Sequence, residues 1–334
     1  MRILVTGGAG FIGSHTVDAL VKAGAGEVSV IDNLSAGKRH QLNDKARFHE
    51  IDLRDADAVR KAIASEKPEV IVHLAAQMDV RKSVADPAFD AQVNVVGFLN
   101  LLEAARQNGL KRVVFSSTGG AIYGEQDTFP AGEDHPARPV SPYGVGKLAL
   151  ERYLYFYHAA YGMAVTCLRY ANVYGERQNA HGEAGVVAIF LDRLLAGRAP
   201  TINGSGLQTR DYLHVSDVVR ANLAAAGRPG FHIYNVGTGI ETTVLELYQA
   251  LARAAGSALA PVHGPAKPGE QQRSVVDGRL IRRELGLPAP LPLALGLART
   301  ASWFRARAGT GTGTGGAEPR PAAGVETTPS AVPI

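Results

Sequence analysis

The chain has 334 residues and 46% hydrophobic content, enough for one large α/β unit or two domains around a sizeable core. Its formal charge of +4, with no basic stripe carrying interleaved aromatics, argues against nucleic acid as a partner. The single cysteine, Cys167, excludes an internal disulfide and favours a reducing, cytoplasmic compartment.

Short apolar runs alternate with helical-period segments from the start. RILVT (2–6), EVSVID (27–32), ARFHEI (46–51), EVIVHLA (69–75), RVVFSS (112–117) and AVTCLRY (164–170) read as strands. The first begins two residues in, which leaves no room for a signal peptide ahead of the fold. Between the strands, FIGSHTVDALVKAG, DADAVRKAIASE, AFDAQVNVVGFLNLLEAARQNG and PYGVGKLALERYLYFYHAAYG read as helices. Asp55 is an N-cap for the second, and Gly109 and Gly162 stop the last two. Such a series predicts an α/β fold, a doubly wound parallel sheet of Rossmann type covered on both faces. Cys167 falls in one of its strands and reads as buried packing.

Beyond residue 171 the pattern loosens. GVVAIFLDRLLAG and VLELYQALARAAG read as amphipathic helices, PTING and FHIYNVG as short strands. The expected division is a cofactor-binding domain over 1–170, with later elements returning to it, and a smaller substrate lobe over 171–300. The apolar stretch 285–304 is broken by Pro288, Pro290, Pro292 and Arg299, which excludes a membrane span. Residues 308–334, rich in Gly, Thr, Pro and Ala without apolar periodicity, read as a disordered tail.

The chemistry gathers at the strand ends. TGGAGFIG (6–13) follows the first strand and opens the first helix, so Gly7, Gly10 and Gly13 suit a turn that approaches a pyrophosphate. The helix N-terminus, with Phe11 and Ile12, offers free N–H groups to the same phosphates. Asp32 ends the second strand nineteen positions beyond Gly13, where a carboxylate accepts both adenosine ribose hydroxyls and repels a 2′-phosphate. This favours NAD over NADP, although Lys38 and Arg39 follow closely and would blunt the repulsion. Asp52 and Leu53 after the third strand and Leu74, Ala75, Ala76 and Gln77 after the fourth lie at the same cofactor rim, though neither segment is diagnostic alone.

FSSTGGAIYG (115–124) brings Ser116, Ser117 and Thr118 to that rim, and the next helix carries Tyr143 and Lys147 four residues apart, one above the other. A phenol with a free pKa of about 10 is a poor base near neutrality, and a neighbouring ammonium together with a positive nicotinamide ring would lower it. Tyr143, Lys147 and Thr118 then form a hydride-transfer site with Tyr143 as acid/base. The plainer reading is a helix start with Pro142 in its first turn, Lys147 paired in solvent with Glu151, and hydroxyls that satisfy strand-end backbone groups. The ten histidines show no metal-ligand spacing, and no metal is expected.

Over roughly residues 1–285 the chain resembles the nucleotide-sugar epimerases of the extended short-chain dehydrogenase/reductase family, typified by UDP-glucose 4-epimerase. TGGAGFIGSH, DNLSAGKRHQL, HLAAQ, NVVG, SSTGGAIYGE, SPYGVGK, LRYANVYG, GSGLQTRDYLHVSDV and PGEQQRSVVD carry the resemblance in that order. It implies Tyr143 as base, Lys147 as its partner and nicotinamide-ribose ligand, and Thr118 as hydroxyl partner. It implies that Asn94 lines the cofactor beside LAAQ, with Asn33, Ser35 and Gly37 as further cofactor residues, and that Asn172, Thr201, Asn203, Arg210 and Glu270 contact UDP and sugar. The plainer reading of Arg210 is an ion pair with Asp211. Two positions depart: Ala171 stands where some members have phenylalanine, and Lys267 where an arginine often grips UDP.

The implied reaction is NAD-dependent interconversion of UDP-glucose and UDP-galactose. Tyr143 deprotonates the 4-hydroxyl, hydride passes to NAD, and the 4-keto sugar turns about its phosphate anchor before hydride returns. A 4-epimerase of UDP-GlcNAc, UDP-glucuronate or UDP-xylose is the neighbouring reading, and a silent NAD-binding regulator a more distant one. Sugar 4,6-dehydratases need an acid pair beside the threonine, whereas Thr118 is followed by Gly119 and Gly120. The resemblance also implies a homodimer through the helices at 88–107 and 142–161.

Overall fold

The computed structural model describes residues 1–180, 185–266 and 271–309. The six expected strands form as β1 (Arg2–Thr6), β2 (Glu27–Asp32), β3 (Arg47–Glu50), β4 (Val70–His73), β5 (Arg112–Thr118) and β6 (Ala164–Tyr170). Between them run α1 (Phe11–Lys22), α2 (Ala56–Glu66), α3 (Val80–Ala85), α4 (Pro87–Ala91), α5 (Gly97–Gln107) and α6 (Pro142–Tyr161). Asp55 caps α2 by accepting from the Asp57 and Ala58 N–H groups at 3.2 and 3.0 Å, and Gly162 ends α6 at φ +67°. The one long helix expected at 88–109 is instead α4 and α5 joined by a single π-helical turn, Gln92–Val96. That wider turn carries Asn94, whose amide is drawn to the Gln77 backbone rather than left along the helix face.

The second half adds β7 (Asn172–Tyr174), α7 (Val186–Leu195), β8 (Thr201–Asn203), β9 (Thr209–Arg210), β10 (Tyr212–His214) and α8 (Val215–Ala225). Then follow β11 (Phe231–Val236), β12 (Thr242–Thr243), α9 (Val244–Ala255), β13 (Val262–Gly264), β14 (Arg273–Ser274), α10 (Arg279–Leu285) and α11 (Leu293–Gly309). The central sheet is parallel throughout, in the order β11-β6-β5-β4-β1-β2-β3. FHIYNVG forms β11, one of the later elements that return to the first part of the chain: it pairs with β6 at the edge of the large sheet, and α8 packs on α1. Helix α11 runs through Gly309, so the tail boundary expected at 308 falls inside it, and residues 310–334 lie outside the described residues.

Alternation along the strands builds two core layers. Leu4, Ile71, Val113 and Phe115 face Val59, Ile63, Phe98, Leu102, Leu150 and Leu154 of α2, α5 and α6. Ile3, Val5, Val72 and Val114 face Val17 and Leu20 of α1 and Val218 and Ala221 of α8. A third core, with Phe190, Leu191, Leu247, Leu251 and Leu297, joins α7, α9 and α11 in the smaller lobe. No described helix is long and apolar enough to cross a membrane. The strand order reverses between β1 and β4, and a doubly wound sheet opens its ligand crevice at the carboxyl ends of such a pair.

Candidate active site at the carboxyl edge of the sheet

The glycine turn after β1 closes on itself. Gly7 sits at φ +68° with its Cα so near β4 that a Cβ would lie 2.7 Å from the Ala75 nitrogen. At Gly13 a Cβ would lie 2.0 Å from the Gly7 carbonyl oxygen, so only hydrogen fits where α1 leaves the turn. Gly10 is the N-cap of α1, and no side chain caps it, which leaves the first-turn N–H groups of Phe11, Ile12 and Gly13 aimed at the crevice. The Thr6 hydroxyl accepts from the Leu74 and Ala75 N–H groups at 3.2 and 3.3 Å and is bonded to His73 Nδ1 at 2.8 Å, joining β1 to LAAQ.

Asp32 stands on the other side of the turn. Its Oδ2 accepts from Ala9 N–H at 3.0 Å and its Oδ1 from Leu34 N–H at 2.8 Å. Burial pushes its carboxyl above the usual range, and these two bonds oppose the rise. Gly37 lets the following loop fold onto the turn, since a Cβ there would lie 2.9 Å from Ala9 and 3.0 Å from Asp32 Oδ1. Arg39, exposed on the surface, bonds Glu50 at 2.5 Å and lies over the Phe48 ring. Asn33 donates to Asp52 at 3.0 Å and accepts from Ser35 N–H, while Leu53 is buried with its carbonyl held by Asn100. Hydrogen bonds with Arg54 hold the Asp52 carboxyl well below the ordinary range. Asn94 Oδ1 accepts from Gln77 N–H at 2.7 Å and its amide donates back to the Gln77 carbonyl at 2.8 Å, clamping the end of LAAQ.

Ser141 caps α6. Pro142 stands in the first turn, as the sequence pattern suggested. Lys147 is buried, and its Nζ donates to the Ser116 carbonyl at 2.7 Å. The same ammonium lies 4.8 Å from the Phe115 ring centroid and 5.8 Å from that of Tyr143. The solvated Lys147–Glu151 pair does not form. Glu151 is buried and accepts from Ser117 Oγ at 2.6 Å and from Arg169 Nε and Nη2 at 2.9 and 2.7 Å. Thr118 Oγ1 accepts from Ala121 N–H at 3.2 Å, which leaves its O–H proton to donate.

Burial pulls the Lys147 ammonium down to about 8, with Asp90 and then Glu151 opposing. Burial pushes the Tyr143 phenol above its ordinary value, and Asp90 adds to the rise. This differs from the expected lowering. Of the two positive charges invoked for it, the protein itself supplies only Lys147, and burial together with the Asp90 charge sets the direction.

The residues implied for the substrate are more scattered. Asn172 is exposed at the start of β7, its Oδ1 within 3.7 Å of where a Gly120 Cβ would stand, so it shares the rim with Thr118. Arg210 lies in β9, flanked by β12 and β14, and donates to the Thr209 carbonyl at 2.8 Å. The Asp211 carboxylate, weighed as its partner, accepts from Thr238 N–H and Oγ1 and from Gly239 N–H. Thr201 and Asn203 sit on the separate β8–β13 ladder, which Gln208 joins to β9 by donating to the Asn203 carbonyl at 3.2 Å. Glu270 and Lys267 lie outside the described residues.

Two features escaped the sequence reading. One is the buried Ser117–Glu151–Arg169 array, which continues through the Tyr123 hydroxyl to Asn235. Its available signal was an arginine inside an otherwise apolar strand. The other is Asp90, buried on α4 beside Asn94.

The NAD dependent epimerase/dehydratase family profile matches residues 3–237. A UDP-glucose 4-epimerase of Mycolicibacterium smegmatis is 49% identical over 292 residues, covering 86% of this chain and 93% of that one. A Thermotoga maritima UDP-glucose 4-epimerase solved with UDP-glucose superposes at a TM-score of 0.90 with 46% identity, over 92% of this chain and 100% of that one. A Thermus thermophilus UDP-glucose 4-epimerase solved with NAD gives a TM-score of 0.87 with 45% identity, over 91% and 99%.

Proposed function

The chain belongs to the NAD dependent epimerase/dehydratase family, and from that premise we infer that it interconverts UDP-glucose and UDP-galactose by NAD-dependent 4-epimerisation. One observation carries the catalytic assignment: Lys147 is buried on the Ser116 carbonyl and faces the Tyr143 ring at the carboxyl edge of the sheet. The glycine turn, the uncapped α1 terminus and Asp32 fit NAD, because the turn has room for hydrogen only and its free donors face the crevice. When bound there, NAD supplies the acceptor and donor of hydride.

The chain's own residues do the rest. Tyr143 takes the proton of the sugar 4-hydroxyl and returns it. Lys147 holds positive charge beside the phenol, and the Thr118 hydroxyl shares the hydrogen bond to the substrate oxygen. Asn172, Thr201, Asn203, Arg210 and Glu270 are assigned to UDP and sugar, with Arg210 as a planar donor fork for the diphosphate. This makes the lobe beyond residue 171, without β11 and α8, the substrate-binding part. Dehydration is disfavoured by sequence, since Gly119 and Gly120 stand where an acid pair would be needed beside Thr118. A Cβ at Gly119 would be tight, at 3.0 Å from Val276 and 3.2 Å from the Arg169 and Tyr170 carbonyls.

Val96 and, on α6, Val145, Tyr153 and Phe156 are exposed, which supports a homodimer through these helices; light scattering checks it. The single cysteine is buried and unpaired, in keeping with work in the cytoplasm. The deciding assay incubates purified protein with UDP-glucose, UDP-galactose and their N-acetyl and uronate analogues, without added NAD. The 4-epimer of glucose or galactose is expected, and no turnover on any of them refutes the reading. Tyr143→Phe should lose about 10²–10⁴-fold in rate, and full activity in that variant refutes the assigned base.

A further inference from the structure

Asp90 is almost fully buried, at 1% exposure, on the short α4 that packs against α6. Its Oδ1 accepts from Gln77 Nε2 at 2.9 Å and from Asn94 Nδ2 at 3.0 Å, both neutral amides. Its Oδ2 is turned to α6, where a Cβ built on Gly146 would stand 3.8 Å away, one residue before Lys147. We infer that Asp90 is a positioning residue for the reaction: one oxygen locks the cofactor-side pair Gln77 and Asn94, and the other sets the field at Tyr143 and Lys147. The inference rests on the assignment of those two residues as the catalytic pair.

The surroundings single out Asp90 for this. Glu151, the other carboxylate near Lys147, is compensated by the bidentate Arg169. Among the described residues Asp90 makes no ion pair of its own, so the cation it faces is Lys147. From β4, His73 is buried and stacked on Phe98, and burial, with Lys147 adding, pulls its imidazole well below the ordinary range. From β5 come the Ser116 carbonyl and Ser117, and from β6 Arg169 and the buried Cys167. Arg81 and Lys82 of α3 are exposed on the surface. Asp90 is the leading charge that opposes the fall of Lys147, and it also helps hold the Tyr143 phenol up. Both effects keep the protons on the pair until positive charge is added at the crevice.

The test is Asp90→Asn, which keeps the shape and one acceptor but removes the charge, with Asp90→Glu restoring the charge. In the holoenzyme, the kcat/KM profile of Asp90→Asn should slide to lower pH by about one unit or more on both limbs, and Asp90→Glu should return it toward the parent. A second readout does not need turnover. The phenolate absorbance titration of the protein minus that of Tyr143→Phe isolates Tyr143, and this difference should shift to lower pH by a similar amount in the Asp90→Asn background. If Asp90→Asn does not fold, Asp90→Ser takes its place in both measurements. Superimposable pH profiles and an unmoved phenol, with only a uniform loss of rate or stability, overturn the inference. A parent that epimerises nothing would instead sink the functional reading, while the absorbance titration still decides the role of Asp90.

Discussion

Replacing Arg169 with methionine would strand the Glu151 carboxylate in the protein interior. The two side chains are 5% and 1% exposed, so water screens neither. The change removes bonds of 2.9 and 2.7 Å to Glu151, one of 2.9 Å to the Tyr123 hydroxyl and one of 3.2 Å to the Glu133 carbonyl. Ser117 Oγ remains as the Glu151 donor. Breaking one side of such a buried pair costs about 3–5 kcal/mol, against about 0–1 kcal/mol for an exposed pair. Removing both charges, in Glu151→Leu with Arg169→Met, avoids the uncompensated carboxylate. It leaves chiefly the Ser117 hydroxyl short of a partner, a loss of about 1–3 kcal/mol, because Tyr123 keeps Asn235 at 2.6 Å. The double variant should therefore be more stable than the Arg169→Met single. Urea unfolding followed by circular dichroism, with midpoints and slopes compared for the parent, both singles and the double, reads this directly. A double variant whose loss equals the sum of the two singles would refute the buried-pair reasoning.

Other outcomes follow from the same geometry. Gly13→Ala puts a methyl group 2.0 Å from the Gly7 carbonyl, so the backbone must shift at a cost of about 1–3 kcal/mol in stability, and the displaced turn should bind NAD more weakly by calorimetry. Gly227→Ala, which meets nothing within 4 Å, should leave NAD affinity unchanged. Lys147 titrates near 8 when folded and near about 10.4 when unfolded, so between those values the unfolded chain binds more protons. Stability from this group therefore rises with pH across that window. Urea midpoints at several alkaline pH values should show that rise in the parent and lose it in Lys147→Met, while parent activity falls over the same range.

Much of the sheet was legible because parallel strands buried on both faces are written as apolar runs. β1, β2 and β6 match the sequence reading residue for residue, and Asp55, Gly162 and Pro142 act where local chemistry puts them. The cofactor turn was legible for a related reason. A glycine that must lie within 3 Å of another backbone is a constraint on composition, and composition is visible in a string. The break at Gln92–Val96 was not legible, since nothing in the apolar period marks a π-helical turn made by side-chain bonds to Gln77. Nor was the membership of β11, because FHIYNVG reads alike at the edge of either sheet.

By itself, then, the sequence determined the strand–helix alternation, the tight glycine turn after β1, the acid that ends β2 and the four-residue spacing of Tyr143 and Lys147. All of these are local patterns with local physical causes. Tertiary structure alone decided what those groups feel. It turned Glu151 from Lys147 to Arg169, hung Lys147 on the Ser116 carbonyl, and set Asp90 beside α6 near Tyr143 and Lys147. Charges act through space, and in a buried site the distance and desolvation that govern them exist only once the chain has folded.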